Sequence, residues 1–265
     1  MYQFEYARAE SVDQAAKKLA DGAQLLAGGQ TLLASMKQRL AQPETLLDLG
    51  DLSDLTGICE DGNTLVIGAM TRHQQVATDP LVLKKIPALA HLAGGIGDKQ
   101  VRAMGTLGGS VANNDPAACY PSAVLALNAT VITNRREIAA DEFFQGLYAT
   151  ALEADELITA IRFPVPRKSA YAKFKQPASR YALVGVFVTQ SDDGVRVAIT
   201  GAGNGVFRHS GLEHALGGEF SPQAVVHVEI DDSELSGDLH ATAAYRAQLI
   251  KVQTQRAVAT ANGID

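Results

Sequence analysis

Cysteine and tryptophan are the scarcest residues of this 265-residue chain, which has two cysteines and no tryptophan. Cys59 and Cys119 lie far apart in the sequence. This excludes a disulfide scaffold, a CxxC redox pair and any iron–sulfur cluster held by four thiolates of this chain alone. The six histidines form neither an HExxH motif nor a pair spaced four residues apart. A zinc site built from this chain is therefore not expected.

Basic clusters and long apolar runs are also missing. Lys and Arg total 23 against 29 Asp and Glu, the net charge is −6, and no basic run exceeds a pair. A duplex-binding protein needs a concentrated basic surface, so we expect no nucleic-acid partner. No apolar stretch reaches the length of a membrane span, and the first residues do not resemble a signal peptide. We therefore expect a cytoplasmic protein without a membrane span.

The pattern of the chain is that of a globular α+β protein, with 46% hydrophobic and 20% charged residues. A capping box at Ser11–Gln14 predicts a helix, and residues 23–27 and 45–49 look like buried strands around a second helix. This alternation predicts a small parallel sheet. Asp61-Gly62-Asn63 predicts a hairpin between two further strands.

A proline pair is the best candidate for a domain boundary. Residues 164–168 (PVPRK) predict a linker, which places the boundary near residue 165. Beyond it, residues 181–190 and 195–202 are predicted strands, and most of the remainder has a helical pattern.

Two glycine clusters are the clearest local signals: residues 27–31 (AGGQT) and 105–110 (GTLGGS). Each ends in a hydroxyl residue, and the first lies between a predicted strand and a predicted helix. Such segments can present backbone N–H groups and hydroxyls to an anion, because glycine lets the ligand approach the backbone closely. From the residues alone, two tight turns and a phosphate cradle split between two segments remain as alternatives.

Three better-known motifs are not met. Gly95-Ile96-Gly97 is followed by Gln100 where a dinucleotide fingerprint needs a third glycine, and the chain has no GxxxxGK[ST] sequence. Residues 108–112 (GGSVA) approximate the GxSxG nucleophile elbow, with alanine in the last glycine position. The flanking residues do not form the strand and helix that such an elbow requires, so a serine hydrolase is disfavoured.

Three segments together resemble the FAD-binding medium subunits of molybdenum hydroxylases, the carbon monoxide dehydrogenase and xanthine dehydrogenase group. They are residues 27–33 (AGGQTLL), 100–110 (QVRAMGTLGGS) and 115–118 (DPAA). The first two motifs at this separation are highly specific. Lys175 and residues 181–186 (YALVGV) are similar to the family's C-terminal domain, so the resemblance spans nearly the whole chain.

The resemblance implies an α+β fold. A two-lobed FAD-binding domain of the vanillyl-alcohol-oxidase/PCMH type would occupy residues 1–165, with lobes of about 1–57 and 58–165. A smaller α+β C-terminal domain would occupy residues 167–265. FAD would lie extended between them, and it would be non-covalent, since neither glycine cluster contains histidine or cysteine.

The resemblance also implies a set of cofactor-binding residues. The two glycine clusters would bind the pyrophosphate, and Asp115 would lie near the ribityl and flavin portion. Lys175 would lie near the isoalloxazine, and Tyr181 would cover one face of the ring, unless it is an ordinary strand aromatic. No catalytic or metal-binding residue is expected. The implied residues are Ala27, Gly28, Gly29, Gln30, Thr31, Leu32, Thr106, Leu107, Gly108, Gly109, Ser110, Asn114, Asp115, Lys175 and Tyr181.

Three positions depart from the family pattern. Cys119 stands where the family usually has Asp, Arg180 where an Asp commonly precedes the tyrosine, and Ser110 where Asn is frequent. These departures concern the redox tuning of the flavin and its electron acceptor, and they leave the pyrophosphate clamp intact.

The implied role is electron transfer. A small subunit would deliver electrons from [2Fe–2S] clusters to the FAD, and a large subunit carrying the molybdenum cofactor would oxidise the substrate; both metal groups are expected only on these partners. The acceptor could be NAD, a quinone, oxygen or a protein. Two alternatives stay open: a stand-alone FAD-dependent oxidase or dehydrogenase, and a non-enzymatic binding module whose glycine clusters are turns.

Overall fold

Short helices and strands alternate along most of the chain. The structure, a computed structural model, describes residues 1–264. The strands are β1 (Glu5–Arg8), β2 (Gln24–Leu26), β3 (Thr45–Asp48), β4 (Ile58–Asp61), β5 (Thr64–Gly68), β6 (Thr130–Thr133), β7 (Glu137–Ala139), β8 (Phe144–Gly146), β9 (Ala149–Thr150), β10 (Ile158–Pro164), β11 (Lys168–Lys175), β12 (Ala182–Ser191), β13 (Gly194–Thr200) and β14 (Phe207–Arg208).

The helices are α1 (Val12–Ala20), α2 (Leu32–Lys37), α3 (His73–Thr78), α4 (Pro80–Lys85), α5 (Pro87–Gly94), α6 (Lys99–Met104), α7 (Leu107–Asn113), α8 (Tyr120–Ala126), α9 (Ala140–Phe143), α10 (Ser210–Gly218) and α11 (Ala243–Ala261), with 3₁₀ turns at Ser53–Leu55 and Pro222–Val225. None of the helices in residues 1–264 has the length and apolarity needed to cross a membrane.

The first sheet has the order β1-β3-β2, and both pairings are parallel, as the alternating pattern predicts. Its central strand buries Leu46 and Leu47. At α1, Ser11 Oγ accepts a hydrogen bond of 3.1 Å from the Gln14 N–H, which is the predicted cap. Strand β1 was not predicted, because all four of its residues are exposed and carry no apolar alternation.

The second sheet has the antiparallel order β4-β5-β10-β6-β7. The predicted hairpin is confirmed as β4–β5, and Gly62 in its turn has a φ of 58°. Pro80 and Pro87 are the first residues of α4 and α5. Proline is tolerated there because the first turn of a helix leaves its N–H groups unpaired anyway.

The third sheet has the order β11-β12-β13-β14. One face packs on α5 and α8, and the other packs on α10 and α11. With both faces covered, residues 182–189 of β12 are buried without interruption. Tyr171 and Phe187 of this sheet belong to the same apolar cluster as the second sheet, so the two sheets share a core.

Two details of the predicted organisation need correction. The linker expected at residues 164–168 is only a three-residue connection, because β10 ends at Pro164 and β11 begins at Lys168. The C-terminal part is less helical than predicted, since residues 226–242 contain neither helix nor strand. The α+β class itself is confirmed.

Candidate functional site

A cleft of about 640 Å³ lies between the first sheet, the two glycine clusters and the turn from β11 to β12. Its volume lies in the range of small-molecule sites. Most of the residues implied by the resemblance line this cleft: Ala27, Gly28, Gly29, Gln30, Thr31, Leu32, Thr106, Gly108, Gly109, Ser110, Asp115 and Tyr181.

The first glycine cluster connects β2 to α2 and exposes an unusual run of donors. Within residues 1–264, the backbone N–H groups of residues 28–32 donate to no protein acceptor. Gly29 has a φ of 70°, which turns the chain in the left-handed conformation that glycine adopts without strain. Consecutive free N–H groups form a concave anion-binding site.

The second glycine cluster is tied more firmly to its surroundings. The Leu107 N–H donates to Thr71 O at 3.0 Å, and the Gly108 N–H donates to Ala69 O at 2.8 Å. Thr106 Oγ1 accepts the Gly109 N–H at 3.3 Å and caps α7. This segment therefore offers the ligand fewer free N–H groups than expected. The Leu107 side chain is fully buried in the core and does not line the cleft.

The glycines bring the two clusters together. A Cβ on Gly28 would lie 2.6 Å from Gly105 Cα, so only glycine permits this approach of two backbones. A Cβ on Gly109 would lie 2.8 Å from Thr106 Oγ1 and 3.5 Å from the Ala27 Cβ. Gly109 thus faces the first cluster across a narrow gap.

The other end of the cleft is lined by aromatic rings around one carboxylate. Asp115 Oδ1 accepts the Ala117 N–H at 2.8 Å, and Tyr148 donates its hydroxyl to Asp115 Oδ2 at 3.4 Å. Partial burial and the charge of Asp115 raise the pKa of both Tyr148 and Tyr181. Tyr181 keeps 47% of its surface exposed, so its ring is available to a ligand.

Asn114 does not line the cleft. It is buried in a left-handed conformation with a φ of 43°, and its Nδ2 donates to Gly146 O and Ala149 O at 2.8 Å each. These bonds hold the turn that carries Tyr148, so Asn114 positions a cleft residue from behind.

Lys175 is also outside the cleft, and Lys173 lines it instead. Lys175 is exposed at the end of β11, where an unpaired residue of β12, Leu183, shifts the register of the two strands. Lys173 Nζ donates to Gly95 O at 2.8 Å, to Arg180 O at 3.2 Å and to Cys119 Sγ at 3.4 Å.

Sequence reasoning missed His73, Tyr148 and Lys173, which all line the cleft. The alternating pattern of β11 could have drawn attention to Lys173, but no motif marks the other two. Glu156 reaches the cleft edge with 2% exposure, and Arg136 donates to its carboxylate at 2.9 and 3.0 Å. These hydrogen bonds lower the pKa of Glu156 to about 2, so its role is structural.

The cleft fits the cofactor that the resemblance implies. A dinucleotide diphosphate needs several donors at close range, and the free N–H groups of residues 28–32 beside a bare glycine backbone supply them. The aromatic end offers a flat apolar surface to a ring system. Within residues 1–264 no three His, Cys, Asp or Glu side chains are grouped to hold a metal ion.

Fold and cleft together fit a flavin-binding protein, and comparison with known proteins gives its family. The family model described as "FAD binding domain in molybdopterin dehydrogenase" matches residues 2–166. The carbon monoxide dehydrogenase medium chain of Hydrogenophaga pseudoflava is 36% identical over 96% of both chains. The nicotine 6-hydroxylase medium subunit of Paenarthrobacter nicotinovorans is 36% identical over 97% of this chain and 96% of its own.

Solved structures agree with this result. A structure of reconstituted CO dehydrogenase from Oligotropha carboxidovorans superposes with a TM-score of 0.91 at 33% identity, and the match covers 100% of this chain and 99% of that chain. The chain therefore belongs to the family of FAD-binding medium subunits of molybdenum hydroxylases. It is the flavoprotein subunit of a multi-subunit oxidoreductase.

Proposed function

We propose that this chain receives electrons from [2Fe–2S] clusters of a small partner subunit and passes them to an external acceptor. A large partner subunit would carry the molybdenum cofactor and oxidise the substrate. The observation that carries the proposal is the cleft itself, which combines a diphosphate-binding end with an aromatic end on a family scaffold. When bound, FAD supplies a redox group that takes up electrons singly and releases them in pairs.

The chain's own part is to bind and orient the cofactor. The N–H groups of residues 28–32 would bind the diphosphate, with Gly109 leaving room on the opposite wall. Tyr181 and Tyr148 would flank the ring end and limit its access to water. Lys173 would hold the loop at Gly95 and the turn at Arg180 against each other, which fixes the position of Tyr181.

The division of the chain is part of the proposal. A FAD-binding domain would occupy residues 1–165, with lobes of about 1–57 and 58–165, and the C-terminal domain would occupy residues 167–265. The family match over residues 2–166 supports this division. We place the assembled complex in the cytoplasm and expect its FAD to be non-covalent.

Affinity purification from the native host tests the proposal. A tagged full-length chain should bring down a molybdenum-containing large subunit and an iron-containing small subunit in equal amounts, as measured by mass spectrometry and metal analysis. A chain that purifies alone with FAD and oxidises a substrate at full rate would instead be a stand-alone oxidase or dehydrogenase.

A further inference from the structure

His73 is a buried titratable residue in the cleft wall to which the proposed function assigns no role. It is the first residue of α3, its side chain is 4% exposed, and it lines the cleft beside the second glycine cluster. The ring lies against Gly105, since a Cβ there would fall 2.5 Å from His73 Nε2. On its other side it packs against the Tyr120 ring at 5.3 Å between centroids.

The two ring nitrogens have different surroundings. Nδ1 is buried and has no hydrogen-bond partner within residues 1–264. Nε2 also bonds to no protein atom of that part of the chain. Unlike Nδ1, however, it is not fully buried, and it therefore keeps access to the cleft. Of the two nitrogens, only Nε2 can therefore reach a ligand.

The proton of the neutral ring belongs on Nε2. A buried N–H without an acceptor is rarer and more costly than a buried acceptor without a donor, so the unpaired Nδ1 carries the lone pair. Burial, together with the charges of Arg102 and Arg72, lowers the pKa of His73 to about 4. At neutral pH the cleft therefore contains one uncharged imidazole whose Nε2–H has no acceptor from the chain.

We propose that His73 donates its Nε2–H to a phosphate oxygen of the FAD bound in this cleft. The assignment rests on the proposed function and adds a specific side-chain donor to it. Gly105, beside which Nε2 lies, is also the residue that Gly28 approaches, and residues 28–32 carry the free backbone N–H groups. The imidazole donor and Gly28, the first residue of the expected diphosphate site, therefore both lie beside Gly105. The diphosphate would then be bound by backbone N–H groups and one neutral side chain.

Three variants of the full-length chain test this role. His73→Leu removes the donor at similar volume, whereas His73→Gln places an amide N–H near the position of Nε2. His73→Asn places its amide near the position of Nδ1, away from the ligand. Loss of a hydrogen bond to a charged acceptor should weaken FAD binding about 10- to 100-fold in the Leu and Asn variants, and Gln should restore most of the affinity.

The readout is the FAD dissociation constant, measured by quenching of flavin fluorescence, with far-UV circular dichroism to confirm folding. A folded Leu variant that binds FAD within twofold of wild type would overturn the proposal. The same holds for equal affinities of the Gln and Asn variants, a comparison that still decides if the Leu variant does not fold. If the folded wild-type chain retains no FAD in excess cofactor, the FAD assignment itself fails.

A second measurement needs no variant. Histidine ¹⁵N NMR of the wild-type apo chain should show His73 as the Nε2–H tautomer, and FAD should shift the Nε2 resonance far more than the Nδ1 resonance. An Nδ1–H tautomer, or an Nε2 resonance that FAD leaves unmoved in a chain that binds FAD, would refute the role of His73.

Discussion

Substitution of Gly109 by valine tests the geometry of the cofactor cleft most sharply. The Cβ would point at Thr106 Oγ1, 2.8 Å away, and toward the Ala27 Cβ at 3.5 Å. It would therefore enter the gap between the two glycine clusters. The methyl groups of valine would fill the space where phosphate oxygens must approach the N–H groups of residues 28–32.

The expected effects on folding and on binding differ greatly. In α7, valine has a better helix propensity than glycine by about 0.5 kcal/mol, while displacement of the Thr106 cap costs about 1 kcal/mol. The free energy of unfolding should thus change by no more than about 1–2 kcal/mol. Loss of two hydrogen bonds to phosphate, at about 1.5–3 kcal/mol each, should weaken FAD binding more than about 100-fold.

The assay is a fluorescence titration of apo protein with FAD, paired with urea denaturation. Gly217→Val is a matched control, because a Cβ on this exposed helical glycine meets no atom within 4 Å. It should leave FAD affinity unchanged, and Gly109→Ala should fall between wild type and Gly109→Val. A folded Gly109→Val protein with wild-type affinity would refute the assignment of the clamp.

Three further predictions concern titratable groups around the cleft. Lys173→Met should weaken FAD binding and lower the melting temperature, because three acceptors lose their hydrogen-bond donor. The control variant Lys175→Met should change neither property. FAD titration measures the affinity, and differential scanning fluorimetry measures the melting temperature. Glu156→Gln should lower the free energy of unfolding at pH 7 by about 1–3 kcal/mol in urea denaturation, because the hydrogen bonds from Arg136 then go to a neutral group. This difference should shrink as pH falls from about 4.5 towards 2, where the wild-type carboxylate takes up its proton. The pKa of His73 is about 4 in the folded chain and about 6.5 in the unfolded chain. As the pH is lowered from 6.5 to 4, the unfolded chain takes up a proton that the folded chain does not. The free energy of unfolding should therefore decrease over this range by up to about 3 kcal/mol. The His73→Gln variant should lose less unfolding free energy over the same pH range, as measured by the urea midpoint at each pH. Equal losses in wild type and variant would contradict the reasoning.

The sequence predicted those parts of the site that depend on local backbone chemistry. Gly28 and Gly29 are needed where two backbones meet and where φ is positive, and such requirements are visible as glycines in the sequence. A similar rule holds at Pro80 and Pro87, the first residues of α4 and α5, because proline suits the first turn of a helix.

Features that depend on tertiary contacts were not predictable. Lys173 lines the cleft and Lys175 does not, and no residue of β11 marks this difference in the sequence. Leu107 lies within a glycine motif, yet its N–H donates a hydrogen bond to Thr71 O and its side chain is buried in the core. His73 stands in no motif, and its role follows only from its unpaired nitrogens and its place beside Gly105.

The most direct test of the proposed electron-transfer role is the absorbance of the FAD-loaded chain under anaerobic conditions, with and without its partner subunits. Candidate substrates such as aldehydes, purines or carbon monoxide should leave the flavin oxidised in the isolated chain. Addition of the partner subunits, with their molybdenum cofactor and [2Fe–2S] clusters, should make the same substrate bleach the flavin bands. Rapid bleaching by substrate in the isolated chain would contradict the proposal and identify a stand-alone oxidoreductase.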